Sequence, residues 1–233
     1  MKNSLTCDSI TIYKAGEKII ESLGFSVMPS GCIELGGENG IGKTSLMRSI
    51  ARLDRSNLGN IYYNGCNVDD FIDEYKQIIL YISDKDQLVE HFSVYEMLDF
   101  WSQVYKSEML LPAASNTFGL DYYLETQIKF LSKGLKKRVV LSRLLLQKGR
   151  IWLLDEPFTN LDQSSVALVE NIIASHLANG GILIIIDHSM NFDKSYKKHL
   201  ADMENIEYKL KNSSQLEKQK TLLKIQDFKV NEI

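Results

Sequence analysis

Short stretches of mixed apolar and polar residues at 9–13 and 19–28 read as strands, with Lys-Ala-Gly-Glu-Lys at 14–18 as the turn between them. The run Gly-Cys-Ile-Glu-Leu-Gly (31–36) is a compact apolar strand that leads into a glycine-rich loop. Beyond the loop the rhythm changes, and residues 43–53 carry apolar side chains at helical spacing. A hairpin is predicted over 60–68, because Asn64-Gly65 supplies the two positive φ angles of a type I′ turn. Residues 78–83 read as a core strand, and 93–148 are mainly helical in pattern. That helical region opens on a capping box, Ser93 followed by Glu96. Within it, Ser132 is placed to cap a basic helix whose buried stripe is Leu131, Leu135, Val139 and Val140. Residues 151–155 and 181–187 are unbroken apolar runs of strand length, which suits a parallel sheet covered on both faces. A crossover helix over 162–178 joins them. The expectation is an α/β domain over 1–207 with an antiparallel β region and a helical subdomain at about 86–148. Residues 208–233 form a polar tail rich in Lys, Gln and Ser, with a polar helix expected at 214–226.

Composition narrows the function classes. The 233 residues are 44% hydrophobic and 24% charged, ordinary for a globular chain. A net charge of −3 gives no nucleic-acid footprint, so no nucleic-acid partner is expected. Cys7, Cys32 and Cys66 show neither metal spacing nor a disulfide framework, which suits a reducing cytosol. The first ten residues lack the apolar run of a signal peptide. The densest apolar stretch, 181–187, is far too short to cross a bilayer. Direct membrane insertion is therefore not expected, and any membrane association must come through a partner.

Three motifs carry chemistry. Gly-Glu-Asn-Gly-Ile-Gly-Lys-Thr (37–44) fits G-x-x-x-x-G-K-[ST], a loop whose backbone N–H groups cradle phosphate oxygens. Gly37, Glu38, Asn39, Gly40, Gly42 and Ser45 belong to that cradle. Lys43 reaches the β- and γ-phosphates of a nucleotide, and Thr44 offers its hydroxyl to Mg²⁺. The helix that starts here adds its dipole. The second motif, Ile-Trp-Leu-Leu-Asp-Glu-Pro (151–157), ends a buried strand in two carboxylates. Asp155 would hold the Mg²⁺ shell, and Glu156 is placed to take a proton from a water attacking the γ-phosphate. The third is Ile-Ile-Ile-Asp-His-Ser (184–189), where His188 at a strand end is in reach of the same sheet edge and of the γ-phosphate.

Leu-Ser-Lys-Gly-Leu (131–135) lies upstream of these acids, with Gly134 21 residues before Asp155. Together with "GENGIGKTS", "WLLDEP", "NLD" (160–162) and "IIDHS", in this order and spacing, it resembles the ATP-binding cassette family, the nucleotide-binding subunits of ABC transporters. The resemblance spans about residues 5–205. It implies a P-loop NTPase fold, ATP and Mg²⁺ as ligands, and a homodimer that sandwiches two ATP molecules head to tail. Ser132 and Gly134 would then complete the partner copy's site at its γ-phosphate, and Asp162 would sit in a loop crossing the dimer interface. Tyr13 matches the family's adenine-stacking aromatic, though it reads equally as a packed strand residue. Integral membrane transporter subunits would be the partners, which places the chain on the cytoplasmic face of a membrane. Within the family, the stretches 131–146 and 152–162 are most similar to the ATP-binding export subunit of the cytochrome c maturation system, the haem exporter. Another ABC exporter, or a soluble regulatory ATPase of the family, is the alternative.

Two departures stand out. The family's usual signature is LSGGQ, and here Lys133 and Leu135 replace a Gly and the Gln. The family also carries a Gln after the core strand that becomes 78–83. By register Lys85 occupies that place, and Gln87 follows two residues later. Either Gln87 serves through a shifted loop, or a Lys stands there that cannot ligate a metal while charged.

Overall fold

The computed structural model describes residues 3–37, 39–54, 58–83, 85, 88–187 and 223–225. In chain order the strands are β1 (Leu5–Lys14), β2 (Glu17–Val27), β3 (Cys32–Leu35), β4 (Leu58–Tyr63), β5 (Cys66–Asn67), β6 (Ile79–Ile82), β7 (Ile151–Asp155), β8 (Ile182–Ile186) and β9 (Leu223–Ile225). The α-helices are α1 (Lys43–Ile50), α2 (Ile72–Ile78), α3 (Val94–Tyr105), α4 (Leu111–Thr117), α5 (Lys133–Leu141), α6 (Arg143–Leu146) and α7 (Gln163–Ala178). These elements fall into two compact units. One comprises the described residues of 1–81, 150–155 and 175–233, and the other those of 82–149 and 156–174.

The first unit holds both sheets. An antiparallel sheet runs in the order β2-β1-β4-β5. β1 starts at Leu5, four residues before the strand read from sequence, because Leu5, Thr6 and Cys7 pair with both β2 and β4. The predicted turn is present: Asn64 and Gly65 have φ of 58° and 81°, both positive as type I′ requires. The second sheet runs β6-β7-β8-β3-β9, with β7/β8 and β8/β3 parallel. Every residue of β7 and β8 is buried, the pattern that their unbroken apolar runs predict. A polar helix is the expectation over 214–226. Residues 223–225 instead form β9, antiparallel to β3, because this edge of the sheet leaves a row of backbone groups that an extended segment can satisfy. No helix among the described residues is long and apolar enough to cross a membrane.

The second unit is helical. Ser93 caps α3: its Oγ accepts the Glu96 N–H at 3.1 Å, while the Glu96 carboxylate accepts the Ser93 N–H at 2.7 Å. Arg143 ties α6 to α3, lying 5.3 Å from the Trp101 ring centre and donating to the Tyr105 hydroxyl at 3.0 Å. Ser132 caps α5, its Oγ accepting the Leu135 N–H at 3.2 Å. Leu131, Val139 and Val140 are buried as expected. Leu135 is only half-buried, and Lys137 takes a buried position on the same helix.

Candidate functional site

β3 delivers the chain into the glycine-rich loop, and α1 receives it. Gly37, Gly40 and Gly42 have φ of 117°, 88° and 108°. Left-handed residues set among right-handed or turn residues aim N–H groups toward one side, the geometry of an anion nest. Gly42 is held to glycine twice over. Its φ is one that side-chain-bearing residues rarely adopt, and a Cβ there would lie 2.9 Å from Ile19 Cδ1 and 3.3 Å from Ile20 Cδ1. Asn39 and Gly40 stand exposed at the loop tip, and Ser45 is partly buried in the first turn of α1. Glu38 lies outside the described residues. That first turn holds no acidic side chain of its own.

Lys43 is only 6% exposed, and its Nζ donates to the Gly37 carbonyl at 2.6 Å. The ammonium is thereby held back across the loop, one of the few arrangements that makes a buried lysine tolerable. Thr44 Oγ1 donates to Asp155 Oδ2 at 2.7 Å, joining the start of α1 to the end of β7 across 111 residues. Asp155 is 2% exposed. A hydroxyl and a carboxylate converging in this way are hard oxygen donors, the type Mg²⁺ accepts alongside phosphate oxygens and water. The residues therefore fit the metal that the motif implies.

Tyr13 stands near the turn between β1 and β2, opposite Lys18, and is 40% exposed. Ile19 and Ile20 of the same hairpin abut Gly42, so the hairpin that carries Tyr13 packs against the exit of the loop. An exposed ring is free to stack on a flat ligand, whereas a core strand residue would be buried.

In the second unit, Gly134 sits in the first turn of α5, where a Cβ would approach the Asn160 carbonyl oxygen to 3.0 Å. Lys133 is exposed beside it. Asp162 Oδ1 accepts from Ser164 Oγ at 2.8 Å and from the Ser165 N–H at 2.7 Å, while Oδ2 takes the Arg138 guanidinium at 2.5 Å. Asp162 thus caps α7 and is tied to α5. Its carboxyl is held well below the usual range, first by the Ser165 N–H, then by the serine hydroxyls, with the Arg138 charge adding. Glu156 has a left-handed φ of 49°, and Thr159 Oγ1 donates to its Oε2 at 3.2 Å. His188 and Gln87 lie outside the described residues. Lys85 is exposed, and its carbonyl accepts from Ser83 Oγ at 2.7 Å.

Arg138 and Thr159 are not singled out by the motif reading. Their sequence signal is weak, since Arg138 belongs to an ordinary basic helix and its acidic partner is 24 residues away. A second unforeseen feature lies on the first unit. The His176 ring stacks on Trp152 with centroids 3.7 Å apart and planes 3° from parallel, and a ring nitrogen lies 3.2 Å from the Ile182 carbonyl. Burial pushes its pKa down from 6.5 to about 4, with the nearby Arg150 charge acting the same way. A Cβ on Gly181 would fall 2.2 Å from this ring. His176 supports β7 and β8 from the side, through Trp152 and the Ile182 carbonyl.

Comparison with known proteins adds an independent line. The family profile described as ABC transporter matches residues 20–159. The chain is 33% identical over 186 residues to the cytochrome c biogenesis ATP-binding export protein CcmA of Rickettsia conorii, covering 80% of this chain and 96% of that protein. It is 34% identical over 185 residues to the CcmA protein of Wolbachia pipientis wMel, covering 79% of this chain and 89% of that one. Among solved structures, an ATP-binding subunit of an ABC transporter superposes with a TM-score of 0.71 at 26% identity, covering 79% of each chain. A putative ABC transporter ATP-binding protein from Pyrococcus furiosus gives 0.67 at 26% identity, covering 81% of this chain and 94% of the other.

Proposed function

The chain belongs to the ABC transporter family and is an ATP-binding, ATP-hydrolysing subunit of it, and from that premise we propose that it drives the export step of cytochrome c biogenesis in which its CcmA relatives are named. The observation that carries the catalytic part is the 2.7 Å contact of Thr44 with Asp155, with Lys43 beside it at the head of α1. It brings the two nucleotide motifs to one point.

In this reading the N–H groups of 37–45 and Lys43 hold the β- and γ-phosphates of ATP, and Tyr13 stacks on the adenine. Thr44 and Asp155 hold Mg²⁺, which when bound neutralises charge on the phosphate oxygens. Glu156 takes the proton of the attacking water. His188 bonds the γ-phosphate, and Gln87 senses it from the loop after β6. Ser132 and Gly134 of one copy meet the γ-phosphate held by a second copy, across an interface that Asp162 borders. The active form is a homodimer seated on polytopic membrane subunits at the cytoplasmic face. Similarity over nearly the full length of the CcmA proteins supports the assignment to haem delivery.

Glu156→Gln keeps the shape of the side chain and removes its basicity. The variant should bind ATP, lose at least about a hundredfold in turnover, and accumulate as a nucleotide-bound dimer on size exclusion. Wild-type turnover in this variant would overturn the role of Glu156. The pathway is tested by co-purification with small polytopic membrane proteins and by haem staining of c-type cytochromes in a strain lacking the chain. Full cytochrome c in that strain would overturn the export assignment.

A further inference from the structure

We propose that the turn 156–162 is a positioning device for the Glu156 carboxylate, with Thr159 and Arg138 as its positioning residues. This deepens the reading above, since it takes Glu156 as the base that accepts the proton of the attacking water.

The turn opens on an unusual backbone residue. Glu156 has a φ of 49° without being glycine, while Asn160 inside the turn has 65°, a region that asparagine adopts readily. Residues in that region persist where their surroundings over-determine them, and such positions cluster at functional sites. The surroundings here are specific. Thr159 folds back so that its hydroxyl donates to Glu156 Oε2 at 3.2 Å, fixing one oxygen of the carboxylate. The Leu161 N–H closes onto the Phe158 carbonyl at 3.2 Å. At the far end, the Asn160 carbonyl sits over Gly134, where even a methyl group would come within 3.0 Å. Asp162 is then clamped by Arg138 at 2.5 Å and by its own bonds to Ser164 and Ser165. The turn is thus bonded to α5 through Asp162, lies close over it at Gly134, and is tied to its own carboxylate through Thr159.

The arrangement has a functional consequence. A carboxylate on a long side chain loses catalytic value when it wanders, because misplacement of about 1 Å can cost on the order of a hundredfold in rate. Thr159 restricts Glu156 directly, and Arg138 restricts the turn that carries Thr159. The start of α5 is also the segment offered to the second copy, so whatever moves α5 moves the seat of this chain's own base. A guanidinium suits the clamp, being planar and always charged.

The test uses the full-length chain and four variants. Thr159→Val keeps the shape and removes the donor, and Thr159→Ser returns it. Arg138→Met removes the charge, and Arg138→Lys returns it without the fork. For each variant, kcat and KM for ATP are measured, along with affinity for a fluorescent trinitrophenyl-ATP probe. Thr159→Val and Arg138→Met should lower kcat about tenfold, with KM and probe affinity within about twofold of wild type. Thr159→Ser should regain most of the rate, and Arg138→Lys part of it. Wild-type kcat in Thr159→Val and Arg138→Met would overturn the proposal. So would a fall in kcat matched by an equal loss of probe affinity, which marks a general structural role. If Arg138→Met does not fold, Thr159→Val and its serine rescue decide. An inactive Glu156→Gln beside a fully active Thr159→Val removes only this proposal, whereas a fully active Glu156→Gln removes the reading beneath it.

Discussion

Replacing Gly42 by alanine adds one methyl group at the point where the phosphate loop becomes α1. Two separate costs follow. The first is conformational: φ of 108° lies outside the region that a Cβ tolerates, and holding it there costs about 1–3 kcal/mol. The second is crowding, because the new Cβ meets Ile19 Cδ1 at 2.9 Å and Ile20 Cδ1 at 3.3 Å. Ile20 is buried and cannot retreat, but the half-buried Ile19 can swing its terminal methyl aside, which keeps this cost below about 1 kcal/mol. Stiffening of the unfolded chain by alanine gives back about half a kcal/mol. The net expectation is a loss of about 2 kcal/mol, or a fall of about 1 M in the urea midpoint. Trp101→Phe leaves Trp152 as the sole tryptophan, a reporter in the same unit as Gly42. Adding Ile19→Val removes the crowding methyl and should recover no more than about 1 kcal/mol of coupling. ATP affinity should fall at least about tenfold and stay low in the double variant, because the N–H groups remain misdirected. A wild-type midpoint, or complete recovery by Ile19→Val, would show that the left-handed backbone is not what demands glycine.

The Trp152–His176 stack yields two further expectations. Gly181→Ala drives a methyl to within 2.2 Å of the His176 ring without requiring an unusual φ, so its cost is purely steric. His176→Ala should then restore a large part of what Gly181→Ala loses, seen as a strong coupling energy in thermal or urea unfolding; simple additivity would refute the contact. The second concerns pH. His176 has a folded pKa of about 4 against an ordinary 6.5, so the unfolded chain binds more protons between these values. The stability it contributes is complete above about pH 6.5 and is lost as pH falls toward 4, by about 3 kcal/mol at most. His176→Phe keeps a flat ring on Trp152 and should flatten that part of the stability profile; an unchanged slope would mean the ring is already solvated in the fold.

What could be read from sequence was whatever depends on neighbours in the chain. The phosphate loop is one contiguous run, and its glycines, Lys43 and Thr44 fall where the motif puts them. The buried parallel strands announce themselves by unbroken apolar runs, and the Asn64-Gly65 turn and the caps at Ser93 and Ser132 by local chemistry. Harder to see were partnerships that only the fold creates. Arg138 finds Asp162 two elements away. Asp162 spends Oδ1 on the start of α7 and Oδ2 on Arg138, uses that the motif gives no hint of. His176 looks like a surface residue on a helix until β7 brings Trp152 beneath it. β9 shows the same limit from the other side. The segment as a whole is polar and lysine-rich, and the short Leu-Lys-Ile alternation at 223–225 is too brief to stand out in it, yet these three residues pair with β3 at the sheet edge.

Ser132 carries one more consequence. Its Oγ accepts the Leu135 N–H, a bond that occupies a lone pair and does not use the hydroxyl hydrogen. Starting the helix therefore orients the oxygen, and it turns an otherwise freely rotating O–H into a proton donor with a restricted outlook. Asp or Asn would begin α5 about as well as serine. Aspartate would bring no proton and a repelling charge, and asparagine would point its N–H groups from a different atom. Starting the helix and keeping an O–H donor are thus carried by opposite poles of a single hydroxyl, and this separates the residues that can start the helix from those that also keep a donor there.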